Sequence, residues 1–161
     1  MTVRERTHRL PRDYYKGQVS VVFTLCLKEK RELLSQTETV TALVDILDSV
    51  IKETSCIVPV YCFMPDHQHL IITGTSKGSD TWNAVVKYKQ KTGFWMSKNR
   101  PEMRWQKDFY DQVIRANEDV AAQVKYILDN PVRKGLAETW EHYPFKGSVG
   151  CKLEDVLIGI M

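Results

Sequence analysis

The stretch Tyr61-Cys62-Phe63-Met64-Pro65-Asp66-His67-Gln68-His69-Leu70-Ile71-Ile72-Thr73 decides how this chain folds and where its chemistry lies. Two β-rich runs, 57–64 and 67–73, meet at Pro65-Asp66, a link short enough to dictate an antiparallel hairpin. Side chains alternate faces along a strand, so His67 and His69 leave one side together with Ile71 and Thr73. Leu70 and Ile72 leave the other side, as does Gln68. A lone histidine in such a run would ordinarily be a core residue with a backbone partner. Two imidazoles converging among large hydrophobes are costly unless something satisfies them, and a divalent metal ion does so well.

Working outward, Val21 to Leu27 is a further strand, followed by the charged turn Lys28-Glu29-Lys30-Arg31. Val40, Leu43, Val44, Leu47, Val50 and Ile51 follow helical spacing, which predicts a helix over 38–52 capped by Thr37 or Thr39. A second helix is expected over 80–96 with Ser79 as its cap, a fourth strand over 104–114, and a last helix over 118–129. That helix should stop at Asn130-Pro131, because a residue before proline avoids the helical region. The order βαββαβ plus a C-terminal helix is the ferredoxin-like (RRM-like) α+β plan, an antiparallel sheet with two helices on one face. Leu70 and Ile72 then belong under those helices, and the histidines on the face where the extra helix docks. The expected organisation is a basic N-terminal arm (1–16), one domain (17–131) and a C-terminal tail (132–161) packed back through Trp140, Tyr143 and Phe145.

A chain of 161 residues is ample for one core. No apolar run approaches the roughly 20 residues of a membrane span, so no membrane partner is expected. Met1 to Lys16 has no apolar core of a signal peptide, so a cytoplasmic location is expected. Cys26, Cys56, Cys62 and Cys151 lack C-x-x-C spacing and read as reduced packing residues. Net charge is only +3, but its distribution is uneven. Arg4, Arg6, Arg9, Arg12 and Lys16 crowd the start, and Lys87, Lys89, Lys91, Lys98, Arg100, Arg104 and Lys107 crowd the middle. Such clusters are the footprint expected of a phosphate-backbone partner. Arg4, Arg6, Arg9, Arg12, Lys87, Lys91 and Arg104 are the candidate contacts. Either cluster alone would read as a solvated face. Tyr88, Phe94, Trp95 and Trp105 interleave the second cluster and suit stacking on unpaired bases, whereas Trp82 fits the core better.

On the last helix Val120, Val124, Ile127 and Leu128 form the buried stripe, at about 100° per residue. Tyr126 falls nearly opposite it, with Asn130 about one turn further along and about 40° away. A phenol can attack a phosphodiester when a base, metal or positive field activates it. His67, His69 and the Asn130 amide oxygen would give a mixed nitrogen–oxygen site with open positions, suited to Mg²⁺ or Mn²⁺ as Lewis acid. Tyr110 is a rival nucleophile, although its neighbours Phe109 and Val113 suggest packing.

Four stretches, 64–70, 105–111, 125–132 and the aromatic tail 140–148, together resemble the HUH-endonuclease single-tyrosine transposases of the smallest bacterial insertion sequences. The likeness is nearest to the REP-associated tyrosine transposases. The resemblance implies cleavage of single-stranded DNA near hairpins through a 5′-phosphotyrosine intermediate, rejoined by a second strand's hydroxyl. It implies His67 and His69 as metal ligands, Tyr126 as nucleophile and Asn130 as third ligand, with Mg²⁺ or Mn²⁺ as cofactor. It also leaves open a homodimer that exchanges the tyrosine helix. Gln68 departs from the family pattern, where that position is usually hydrophobic, and it needs a partner on the helix-covered face. Asp66 replaces a frequent Asn. Three other readings stay open: a weakened, domesticated transposase that only binds hairpins, an RRM-like nucleic-acid-binding module, and a hydrolytic metal phosphodiesterase.

Overall fold

The computed structural model describes residues 9–115 and 118–159. Arg4, Arg6 and the loop Ala116-Asn117 lie outside the described residues. Strands β1 (Ser20–Cys26), β2 (Cys56–Phe63), β3 (His67–Gly74), β4 (Tyr110–Ile114) and β5 (Lys146–Val149) form one antiparallel sheet in the order β4-β1-β3-β2-β5. Its first four strands are the expected ferredoxin-like arrangement. The fifth, drawn from the expected irregular tail, pairs with the outer side of β2.

Helices α1 (Thr37–Thr54) and α2 (Thr81–Asn99) cover one face. There Leu43, Leu47, Val50, Ala84, Val85, Tyr88 and Met96 pack on Val21, Phe23, Leu25, Leu70 and Ile72. The other face carries Val60, Cys62 and Ile71, covered by Val124, Ile127 and Leu128 of α3 (Val120–Leu128) and by Val156 of α5 (Leu153–Leu157). The alternation read from 67–73 therefore sorts the two cores as expected.

The ends of several elements differ from the sequence reading. Gln36, not Thr37 or Thr39, precedes α1 and makes no side-chain cap. Asp80 caps α2 by accepting from the Asn83 N–H at 3.0 Å. Ser79 instead ties the preceding loop, accepting from Thr75 N and Ser76 N and donating to the Ser55 carbonyl. Strand β4 starts at Tyr110 and not at residue 104: Trp105 makes only an isolated bridge to Leu27 beyond the end of β1, and a side chain holds the backbone that follows. Lys89 Nζ donates to the carbonyls of Gln106 and Lys107 at 2.7 and 2.6 Å. Burial pulls the Lys89 ammonium down to about 8. Asp119 caps α3, accepting from Ala121 N at 2.9 Å. Beyond α3 the chain does not turn extended at Asn130. It makes one more helical turn, α4 (Asn130–Arg133), with Pro131 in the first turn where its missing N–H costs nothing.

Candidate active site on the second face of the sheet

A single row crosses the sheet: Tyr110 pairs with Thr24, Thr24 with His69, His69 with Cys62, and Cys62 with Lys146. Directly paired residues share a face, so this row carries the histidine side of the sheet. His67, two residues before His69, points the same way.

The two imidazoles meet edge to face, with Nε2 of His67 3.1 Å from Nε2 of His69. Their other nitrogens are engaged: His67 Nδ1 lies 2.6 Å from Asp66 Oδ1, and His69 Nδ1 2.9 Å from Thr24 Oγ1. Burial first, then His67 and Arg133, pulls the His69 imidazole down to about 4, so it is neutral near neutrality. An Asp66 carboxylate accepting from Nδ1–H leaves a lone pair on His67 Nε2, the arrangement that orients metal-binding histidines. Two ligands at about 2.1 Å from one ion and at right angles stand about 3 Å apart, so the pair fits a shared cation. Among the described residues no cluster of three or more His, Cys, Asp and Glu could hold an ion. A cation here would therefore keep positions for water, phosphate or an amide. Thr24 was not legible as a partner, because only the β1–β3 register sets it behind His69. Asp66, although next to His67 in the chain, meets its ring only through the conformation of the turn.

The histidines open on a cavity of about 560 Å³, whose polar wall also includes Thr24, Lys30, Glu32, Asp66, Tyr110 and Lys134. Tyr126 and Asn130 do not line it. The phenol stands on the polar side of α3, 66% exposed, as its helical position demands. Arg133 stacks its guanidinium 4.2 Å from the Tyr126 ring centre, pairs with Asp129 at 2.9 Å, and reaches Asn130 Oδ1 at 3.4 Å. Arg133 acts on His69 and Lys134 lines the cavity, so the segment after Tyr126 runs toward the histidines. The structure thus joins the two histidines to each other, and Tyr126 to Asn130 through Arg133, but leaves the two pairs apart.

The expected DNA contacts divide. Arg104 is exposed. Arg12 is exposed too, 5.0 Å from the Trp82 ring centre and 4.0 Å from Asp80. Lys87 and Lys91 both face Glu53 of α1, at 3.7 and 3.1 Å. Arg9 is committed to the fold. Its side chain is 15% exposed, lies against Trp82 and Phe109, donates to the Phe109 carbonyl, and stands 3.0 Å from Asp111, without hydrogen-bond alignment at Nε. Tyr88 and Trp105 are buried and unavailable for base stacking, whereas Phe94 is exposed.

The sheet, its two-helix cover and the histidine row fit a known protein family. Residues 15–130 match the model of the IS200-like transposases. The chain belongs to that family. A Haemophilus influenzae relative provisionally named REP-associated tyrosine transposase is 28% identical over 151 residues, covering 83% of this chain and 81% of the relative. The REP-associated tyrosine transposase of Escherichia coli is 28% identical over 137 residues, covering 83% and 79%. The solved structure of a REP-associated tyrosine transposase bound to a REP hairpin matches with a TM-score of 0.70 at 23% identity, over 86% of this chain and 81% of that one. A Deinococcus radiodurans structure, also provisionally named a transposase, matches at 0.52 and 19% identity, over 72% and 92%. Both structures share the family's fold. Among the described residues no helix is long and apolar enough to cross a membrane.

Proposed function

We propose that this member of the transposase family nicks and rejoins single-stranded DNA beside a hairpin, with Tyr126 as nucleophile and the His67–His69 pair as the metal seat. The observation that carries this reading is the convergence of two Nε2 atoms at 3.1 Å on an open cavity of about 560 Å³. The DNA partner is supported by the relative whose solved structure holds a REP hairpin.

His67 and His69 would hold Mg²⁺ or Mn²⁺, with the Asn130 amide oxygen as a third donor once it parts from Arg133. Such an ion would supply Lewis acidity at a phosphate oxygen. Tyr126 Oη attacks phosphorus and its proton passes to water. The bond to the upstream 3′ oxygen breaks, and that oxygen takes a proton to become a free hydroxyl. A second 3′ hydroxyl then attacks the phosphotyrosine, restores a phosphodiester and returns the phenol. The bond count is conserved, so no ATP is needed. Because Tyr126 stands outside the cavity, the reaction requires it to swing over the histidines, or a second copy to lend its α3.

The experiment is incubation with a labelled single-stranded hairpin and Mn²⁺, followed by a denaturing gel and peptide mapping of the adduct. An adduct on Tyr126, lost in Tyr126→Phe and in His67→Ala, supports this reading. Cleavage without adduct supports a hydrolase, and a native-gel shift alone supports a binding protein. Tyr110 earns a second reading as nucleophile because its side chain does line the cavity. An adduct mapped to Tyr110 would establish it.

A further inference from the structure

Tyr110 and His69 flank Thr24 in the same row, so two strand spacings, about 10 Å, separate their backbones. The cavity occupies that span, and Lys30 reaches it from the turn after β1. Among the described residues neither the Tyr110 hydroxyl nor Lys30 Nζ has a hydrogen bond or ion pair. A solvated lysine on a turn would ordinarily mean nothing. This one sits on unusual backbone. Glu29 and Lys30 have φ of 65° and 52°, the left-handed region that side-chain-bearing residues avoid. The strained turn is fixed on both sides, by Lys30 N donating to the Leu27 carbonyl at 3.1 Å and Lys28 N to the Arg104 carbonyl at 2.7 Å. Strain of this kind persists only where the surroundings over-determine it, and it clusters at ligand sites.

We infer that Lys30 and Tyr110 grip one phosphate of the DNA strand over the histidine pair. The ammonium acts as a cation, and the phenol donates to a non-bridging oxygen. The seat takes a single-stranded phosphodiester and reads no base. It rests on Tyr126 being the nucleophile, which leaves Tyr110 free to position.

The test is equilibrium binding of a fluorescent oligothymidylate across a salt series, with metal chelated, so that catalysis plays no part. Loss of one phosphate contact on a single strand lowers the slope of log K against log salt by about 0.7. Lys30→Gln should show that loss, and Lys30→Arg should retain the slope. Tyr110→Phe should weaken binding several-fold with the slope unchanged. The double variant Lys30→Gln/Tyr110→Phe should lose less than the sum, because both groups address one phosphate. An unchanged slope in Lys30→Gln, or strictly additive losses, overturns the seat. On a cleavable hairpin with Mn²⁺, peptide mapping of the wild-type adduct should place it on Tyr126; an adduct mapped to Tyr110 overturns the positioning role. If wild-type protein forms no adduct at all, the nickase reading fails, while the slope and the coupling still decide the seat.

Discussion

Tyr88 on α2 donates its hydroxyl to Oε1 of Gln68 on β3 at 2.7 Å, with both side chains fully buried. Gln68 faces the helix-covered side between Leu25 and Phe63, where a hydrophobe would be expected, and Tyr88 supplies its partner. The Nε2 of Gln68 finds no partner among the described residues. Gln68→Leu should therefore destabilise the fold by about 1–3 kcal/mol, because it orphans a buried hydroxyl. Adding Tyr88→Phe should recover most of that loss. Denaturant melts of the two single variants and the pair measure it, and a single Gln68→Leu more stable than wild type would refute the account.

Tyr126 touches no core, so Tyr126→Phe should shift stability by no more than about 0.5 kcal/mol while removing the covalent adduct. Mixing Tyr126→Phe with His67→Ala protein distinguishes the two routes to the cavity. Adduct regained in the mixture means that one copy lends its helix to another. Adduct absent at every mixing ratio means that each copy uses its own phenol.

Asp66 stands behind His67 as its orienting carboxylate. Asp66→Ala should weaken Mn²⁺ binding by about 10–100-fold, measured by titration calorimetry. His67→Ala should abolish it. An Asp66→Ala variant that binds Mn²⁺ as tightly as wild type would leave the carboxylate with no part in the site.

Burial raises the phenols of Tyr88 and Tyr143 above their ordinary value of 10.0. The unfolded chain then ionises first as pH climbs past that value, so it holds fewer protons than the folded chain there. The stability these groups contribute is complete below pH 10 and declines above it. Melts between neutral and alkaline pH should show the decline, and the Gln68→Leu/Tyr88→Phe pair should flatten it.

The hairpin was legible because its cue is local: alternation over seven residues fixes both faces and brings the histidines together. The stripe of α3 was legible for the same reason, and it placed Tyr126 outward. What escaped the sequence depends on distant partners. Lys146-Gly147-Ser148-Val149 has no alternating apolar signature and becomes a strand only because β2 offers an unpaired side. Arg9 looked like a phosphate contact until Trp82, Phe109 and Asp111, from two remote segments, closed around it. Lys30 gave no signal at all, since its interest lies in a backbone angle.

The alternation of β3 carries an evolutionary consequence. Under the proposed mechanism, substitution at His67, His69 or Tyr126 would extinguish strand cleavage and leave the sheet and its helices in place. One codon gained or lost between the two histidines does something else. It throws one imidazole to each side of the sheet, driving a polar ring into the packed interior. A lineage can thus retire the enzyme by changing letters here, whereas a change of length takes the folded scaffold with it.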